Sequence, residues 1–238
     1  MNYELQTTNY KLLSPLVHLF YPDLCEGCGS DLVQRHNLLC LICINQLPYT
    51  LFANHEDNPV EKIFWGRLKL EAGMSQFYFA KGSIIQKLVH EFKYNGNKDI
   101  GTYLGKMTGE SLLNSSRFKN IDVIIPLPLF ASKEYRRGFN QSAILCDGIS
   151  SVMNIPVDKN NVTRKHYTDT QTKKHRTERW ENVMNSFQIN ESRLLNDKHV
   201  LLVDDVITTG ATLEACGAEI LKGINTKLSI ATLAFATK

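Results

Sequence analysis

Val200-Leu201-Leu202-Val203-Asp204-Asp205-Val206-Ile207-Thr208-Thr209-Gly210-Ala211-Thr212 begins as an unbroken apolar run with β-branched residues, turns acidic, and passes through a Thr/Gly loop. The apolar run has the pattern of a parallel strand buried on both faces. A helical pattern follows from Leu213 to Lys222, so the segment reads strand, polar loop, helix. Open α/β sheets bind ligands beyond the carboxyl ends of such strands. Gly210 lets a backbone approach a ligand closely. The hydroxyls of Thr208, Thr209 and Thr212, with the N–H groups at the start of the next helix, suit a phosphate dianion. Two carboxylates beside an anion would repel it, and they make sense if they face sugar hydroxyls and a divalent cation instead. Phosphate, sugar hydroxyls and cation together describe a phosphorylated sugar. The plainer alternative is a buried strand that ends in a solvated Asp-Asp turn and a Thr helix cap.

Working outward, the chain of 238 residues has room for one large domain or for a domain and a small module. Hydrophobic content of 43% and charged content of 21% are globular values that allow a sizeable core. A net charge of +3 argues against general affinity for nucleic acid or membrane surfaces. No apolar run reaches the roughly eighteen residues of a membrane span. The first residues, Met1-Asn2-Tyr3-Glu4, lack the basic and apolar pattern of a secretory leader, so a cytoplasmic location is expected. Neither a Walker phosphate loop nor a G-x-G-x-x-G fingerprint occurs, which argues against nucleotide triphosphatase and dinucleotide oxidoreductase chemistry.

Toward the amino end, Cys25-Glu26-Gly27-Cys28 and Cys40-Leu41-Ile42-Cys43 are separated by eleven residues. Two C-x-x-C knuckles allow four thiolates to close a tetrahedron around Zn²⁺, and in a cytoplasmic protein paired cysteines point to metal. Disulfides and an iron–sulfur cluster on the same four thiolates are the alternatives. Four thiolates leave no open position, so the zinc is expected to be structural. Cys146 and Cys216 fall in helical patterns as small core residues. His18, His36 and His55 are spare candidate ligands. Residues 5–20 form an arm split by Pro15, and residues 48–70 read as a linker because Asn54-His55-Glu56-Asp57-Asn58-Pro59 is polar and breaks structure. These readings divide the chain into an arm and zinc module over 1–55 and a main domain over 56–238.

In the main domain, Phe77 to Ala80 reads as a strand. Ile84 to Tyr94 reads as an amphipathic helix stopped by Gly96, and a second helix is expected from about Ile100 to Leu113. Ile121 to Leu129 is a second buried strand with a loop at its end, held extended by Pro126 and Pro128. Lys133, Arg136 and Arg137 follow, then Gly138-Phe139-Asn140-Gln141 and a helix from Ser142 to Ser151. A rigid turn with cations at a strand's carboxyl end is either a pyrophosphate site or a solvated basic helix start. Residues 162–187 are the most basic part of the chain and read as a surface segment between two short strands. Lys227 to Phe235 is the last strand.

Residues 200–212 resemble the 5-phosphoribosyl-1-pyrophosphate (PRPP) signature of type I phosphoribosyltransferases. Pro126-Leu127-Pro128 with Arg137-Gly138-Phe139-Asn140-Gln141, behind a four-cysteine module, resembles the ComF (competence protein F) branch of that superfamily, over about residues 20–238. The resemblance implies an α/β phosphoribosyltransferase fold: a mainly parallel sheet flanked by helices, with a small N-terminal four-cysteine zinc module. It implies that Asp204 and Asp205 are the catalytic pair contacting the ribose hydroxyls, and that Thr208, Thr209, Gly210, Ala211 and Thr212 hold the 5-phosphate. Leu127, Pro128 and Arg137 fall to the pyrophosphate side, and Mg²⁺ accompanies PRPP. Gln171 and Arg179, with Asn182 and Val183, match places in the element that closes over the ligand. The implied function is PRPP binding in support of natural competence, with possible phosphoribosyl transfer to an unidentified acceptor. The alternative is a non-catalytic PRPP-binding accessory protein that contacts single-stranded DNA or DNA-uptake partners. In that case the zinc module and the basic segment 164–179, with Lys173, Lys174 and Arg176, are the candidate contact surfaces.

Overall fold

Val200, Leu201, Leu202 and Val203 are buried on both faces, as a strand flanked on both edges requires. They belong to β5 (His199–Ile207), whose neighbours are β2 (Val123–Pro126) and β6 (Lys227–Ala236). The structure, a computed structural model, describes residues 23–34, 37–165 and 186–236. The chain divides into two compact units, one ending at Leu47 and the other beginning at Pro48. The first contains the cysteine knuckles and one short helix, α1 (Leu41–Asn45).

The second unit runs α2 (Pro59–Phe64), β1 (Ala72–Phe79), α3 (Ile84–Tyr94), α4 (Lys98–Leu113), β2, α5 (Ala131–Arg137) and α6 (Gln141–Met153). It continues through β3 (Val162–Arg164), β4 (Phe187–Ile189), β5, α7 (Ala211–Ile220) and β6. Four strands form one parallel sheet in the order β1-β6-β5-β2, with β5 and β6 in the middle. This arrangement is the α/β parallel sheet that the apolar strand patterns predict. β3 and β4 form a separate antiparallel pair. Helix α6 packs on β2 and β5, and α2 and α3 pack on β1.

Two parts of the unit differ from the sequence reading. Residues 48–55 are not a free linker: the Thr50 N–H donates to the Gln76 carbonyl at 3.1 Å, and the Tyr78 N–H donates to the Pro48 carbonyl at 2.8 Å. Asn58-Pro59 begins a helix where the composition indicated a break. The Asn58 side chain accepts from the N–H groups of Val60 and Glu61, and proline is tolerated in the first turn, where its missing donor is not needed. Strand β1 is also longer than the Phe77–Ala80 expected. Its first half carries Ser75 and Gln76, which are buried, and Ser75 shares a hydroxyl–hydroxyl hydrogen bond with Thr232 of β6.

Candidate functional site

Parallel pairing of β2 and β5 ends at Pro126 opposite Val203, and the Leu127 N–H donates the last rung to the Val203 carbonyl at 2.8 Å. Beyond it β5 continues to Ile207 paired only with β6. Asp204 and Asp205 therefore lie on an extended strand beside an opened edge, not in a turn after the strand. Successive strand side chains point to opposite faces, and the two carboxylates find different partners. Asp204 Oδ1 accepts from the Ser142 hydroxyl at 3.0 Å, near the start of α6, and from the Asp205 N–H at 2.8 Å. Asp205 Oδ2 pairs with Lys93 Nζ, at the end of α3, at 2.7 Å. Burial, reinforced by the charge of Asp205, raises the Asp204 carboxyl to about 7. The Asp205 N–H, the Ser142 hydroxyl and Lys93 pull in the opposite direction without cancelling that effect.

The Thr loop leads into α7. Gly210 adopts φ +74°, and a Cβ there would lie 2.7 Å from Ile63 Cγ2 and 3.0 Å from the Phe64 ring. Glycine is thus required both by the backbone and by α2 beneath it. Because Gly210 is also the helix N-cap, no side chain caps α7, and the first-turn N–H groups face the loop. Thr208 and Thr209 are exposed, while Ala211 and Thr212 are half-buried. An acid in the first turn would compete with a bound anion. Glu214 occupies that turn, but Arg67 engages it with an Nη1–Oε2 distance of 2.8 Å. The same guanidinium donates to the carbonyl of Thr209 at 3.4 Å.

On the β2 side, Asn140 does two things. Its amide donates to the Leu127 carbonyl at 3.1 Å, and its Oδ1 accepts from the Ser142 N–H at 2.9 Å, capping α6. The loop carrying Leu127 and Pro128 is thereby tied to the helix that positions Ser142. Arg137 ends α5, donates to Gln141 Oε1 at 2.7 Å, and lies 5.7 Å from the Tyr94 ring centroid. Its Nε is buried without a partner among the described residues. A cavity of about 740 Å³ adjoins this loop, with Pro128, Phe139, Asn140, Arg164 and Gln188 in its lining. The Arg164 guanidinium stacks on Phe130 at 3.6 Å and faces Phe187 at 5.0 Å.

In the N-terminal unit, the sulfurs of Cys25, Cys28, Cys40 and Cys43 all lie within 4.8 Å of one another. All four are free thiols, and Cys28 alone among them is exposed. A Cβ on Gly27 would sit 2.7 Å from Cys43 Sγ, so this glycine makes room for the fourth cysteine. The Cys40 N–H donates to Cys25 Sγ at 3.3 Å. The Ser30 side chain and backbone lower the Cys28 thiol to about 6. Burial opposes ionisation of Cys25, but the N–H groups of Cys40, Cys28 and Gly27 outweigh it. Burial, with the neighbouring cysteines, raises Cys43. Soft donors at this spacing, with N–H groups aimed at sulfur, are compatible with a zinc site. Cys146 and Cys216 are buried in α6 and α7, as their helical setting predicts.

Gln171, Arg179, Asn182, Val183 and the basic residues Lys173, Lys174 and Arg176 lie outside the described residues, as do His18, His36 and the arm over 5–20. Ser142, Lys93, Arg67 and Tyr94 are brought to the site without having been singled out in the sequence. Their contacts are tertiary, and no local pattern distinguishes them from surface polar residues. No described helix is long and apolar enough to cross a membrane.

Residues 140–238 match the phosphoribosyl transferase domain family. The matched segment carries the acidic pair of β5, the Thr/Gly loop and α7. The chain is 28% identical over 211 residues to DNA utilization protein YhgH of Escherichia coli (strain K12), covering 82% of this chain and 89% of that one. It is 29% identical over 204 residues to Competence protein F of Haemophilus influenzae, covering 83% of each. Competence protein ComFC of Bacillus subtilis is 26% identical over 197 residues, covering 82% of this chain and 77% of that one. The chain is thus similar over most of its length to competence and DNA utilization proteins, and over residues 140–238 to the phosphoribosyl transferase domain.

A carboxyl raised from 3.8 to about 7 makes the folded state hold a proton that the unfolded chain has already lost, so stability falls as pH rises across that window. Asp204→Asn removes this cost. It should raise the unfolding free energy at pH 8 by on the order of 1–3 kcal/mol, and the gain should shrink toward pH 4. Denaturant unfolding of both proteins across that range checks it, and parallel pH profiles would contradict the assignment.

Proposed function

We propose that the carboxyl edge of the sheet binds PRPP together with Mg²⁺. The observation that carries this reading is the juxtaposition of an uncapped helix start behind a Thr/Gly loop with two carboxylates on the opened edge of β5. The 5-phosphate would lie on Thr208 to Thr212, where first-turn N–H groups and hydroxyls supply donors and Arg67 offsets Glu214. The ribose hydroxyls would face Asp204 and Asp205, with the pyrophosphate toward Leu127, Pro128 and Arg137. The oxygen donors of the same edge, Asp204 and Asp205 among them, would hold Mg²⁺, whose charge would favour departure of the pyrophosphate.

The reaction this site would perform is displacement of pyrophosphate from ribose C1 by a nitrogen nucleophile. The chain's part is positioning and charge stabilisation, with no covalent intermediate on the protein. The relatives' names, a DNA utilization protein and competence proteins, support a role in the uptake or use of DNA. The four cysteines would hold a structural Zn²⁺. Pyrophosphate release that depends on an acceptor separates a transferase from a non-catalytic PRPP-binding accessory protein.

Titration of the zinc-loaded protein with PRPP and Mg²⁺ should show saturable binding, weakened at least about tenfold in the Asp204→Asn/Asp205→Asn variant. Equal affinity in the two proteins, or none in the wild type, would overturn the site. In a separate test, Cys25→Ser should release the metal and lower the thermal transition of the N-terminal unit, and full zinc content in that variant would refute the four-thiolate ligand set.

A further inference from the structure

The end of α3 is where three consecutive residues each reach a different part of the site. Phe92 is fully buried, and its ring lies 5.7 Å from that of Phe139, next to Gly138 and Asn140. Lys93 Nζ pairs with Asp205 at 2.7 Å. The Tyr94 ring lies beneath the Arg137 guanidinium. Phe92 thus anchors the helix end while Lys93 and Tyr94 meet the two charged residues read as the ribose side and the pyrophosphate side.

We propose that Lys93 is a ligand-binding residue of this site. It holds Asp205 while the site is empty and turns its ammonium to the pyrophosphate when PRPP arrives. The assignment rests on the reading that PRPP occupies the site.

Charge balance supports it. A pyrophosphate placed near two adjacent carboxylates needs cations beyond the one metal ion. Arg67 is committed to Glu214 and to the carbonyls of Ile63 and Thr209. Arg137, whose Nη1 donates to Gln141 and whose Nε has no partner among the described residues, supplies one such cation. Lys93 has one ion-pair partner among the described residues, and a cation bound with the ligand can replace it at Asp205. The pair is also largely shielded, with side-chain exposures of 16% and 15%. An ammonium released there faces anionic oxygens with little competition from solvent. A flexible stem carrying a compact charge with three donors suits such a transfer better than a fixed planar group does.

The test compares PRPP with ribose 5-phosphate, each with Mg²⁺, on wild type, Lys93→Met and Lys93→Arg. The expected result is that Lys93→Met loses about tenfold or more in affinity for PRPP and changes affinity for ribose 5-phosphate less than about twofold, while Lys93→Arg, which keeps the charge on a planar group, falls between wild type and Lys93→Met for PRPP. Equal losses for both ligands would mean that Lys93 only holds Asp205 in place, and that overturns the proposal. Unchanged PRPP affinity in Lys93→Met overturns it as well. Failure of the wild type to bind PRPP would refute the underlying reading, and this outcome is seen before any variant is made. If Lys93→Met does not fold, amine acetylation of the wild type decides the matter. Lys93 should be protected by PRPP and not by ribose 5-phosphate, and equal labelling with both ligands refutes the role.

Discussion

Past the hydrogen bond from the Leu127 N–H to the Val203 carbonyl, β2 turns away while β5 runs on against β6. This parting of two parallel strands leaves the end of β5 unpaired on its β2 side. A buried parallel sheet offers polar groups only at its ends, so whatever chemistry the domain performs must be assembled there. Asn140 holds the parting open from the β2 side by binding the Leu127 carbonyl and capping α6 at once. Gly210 holds it from the β5 side by letting the chain pass close over α2.

The opened edge carries an electrostatic cost. Adjacent carboxylates at a half-buried strand end repel each other, and the chain limits this by giving them separate partners, Ser142 for Asp204 and Lys93 for Asp205. Burial still keeps Asp204 well above the usual carboxylate range. Such strain is typical of positions selected for binding rather than for stability. The uncapped start of α7 has the opposite polarity and lies a few residues away, so the edge presents donor and acceptor regions in sequence. A sugar phosphate, with hydroxyl donors at one end and anionic oxygens at the other, matches that order.

Much of this was legible in the sequence. The β5 run, its acidic end, the Thr/Gly loop and the helix after it are local patterns, and the fold class followed from them. The two knuckles were legible as a spacing, although the reason for Gly27 is a tertiary one, its contact with Cys43. What was missed depends on pairing across the fold. The first half of β1 is concealed because Ser75 and Gln76 look exposed in sequence, yet Ser75 is satisfied inside the sheet by Thr232. Residues 48–55 resemble a linker by composition, but their backbone groups bond to β1. Helix α5 buries no residue, so it leaves no periodic pattern to detect. Lys93 is one lysine among many until the folded chain brings it to Asp205.

Amide hydrogen exchange of the full chain, with and without PRPP and Mg²⁺, tests the central claim most directly. Exchange should slow at Ala211, Thr212 and Leu213 in the first turn of α7 and at Leu129 beyond β2, since these N–H groups would border the proposed ligand. Protection confined to other regions, or no change at saturating PRPP, would contradict the placement of the ligand on this edge.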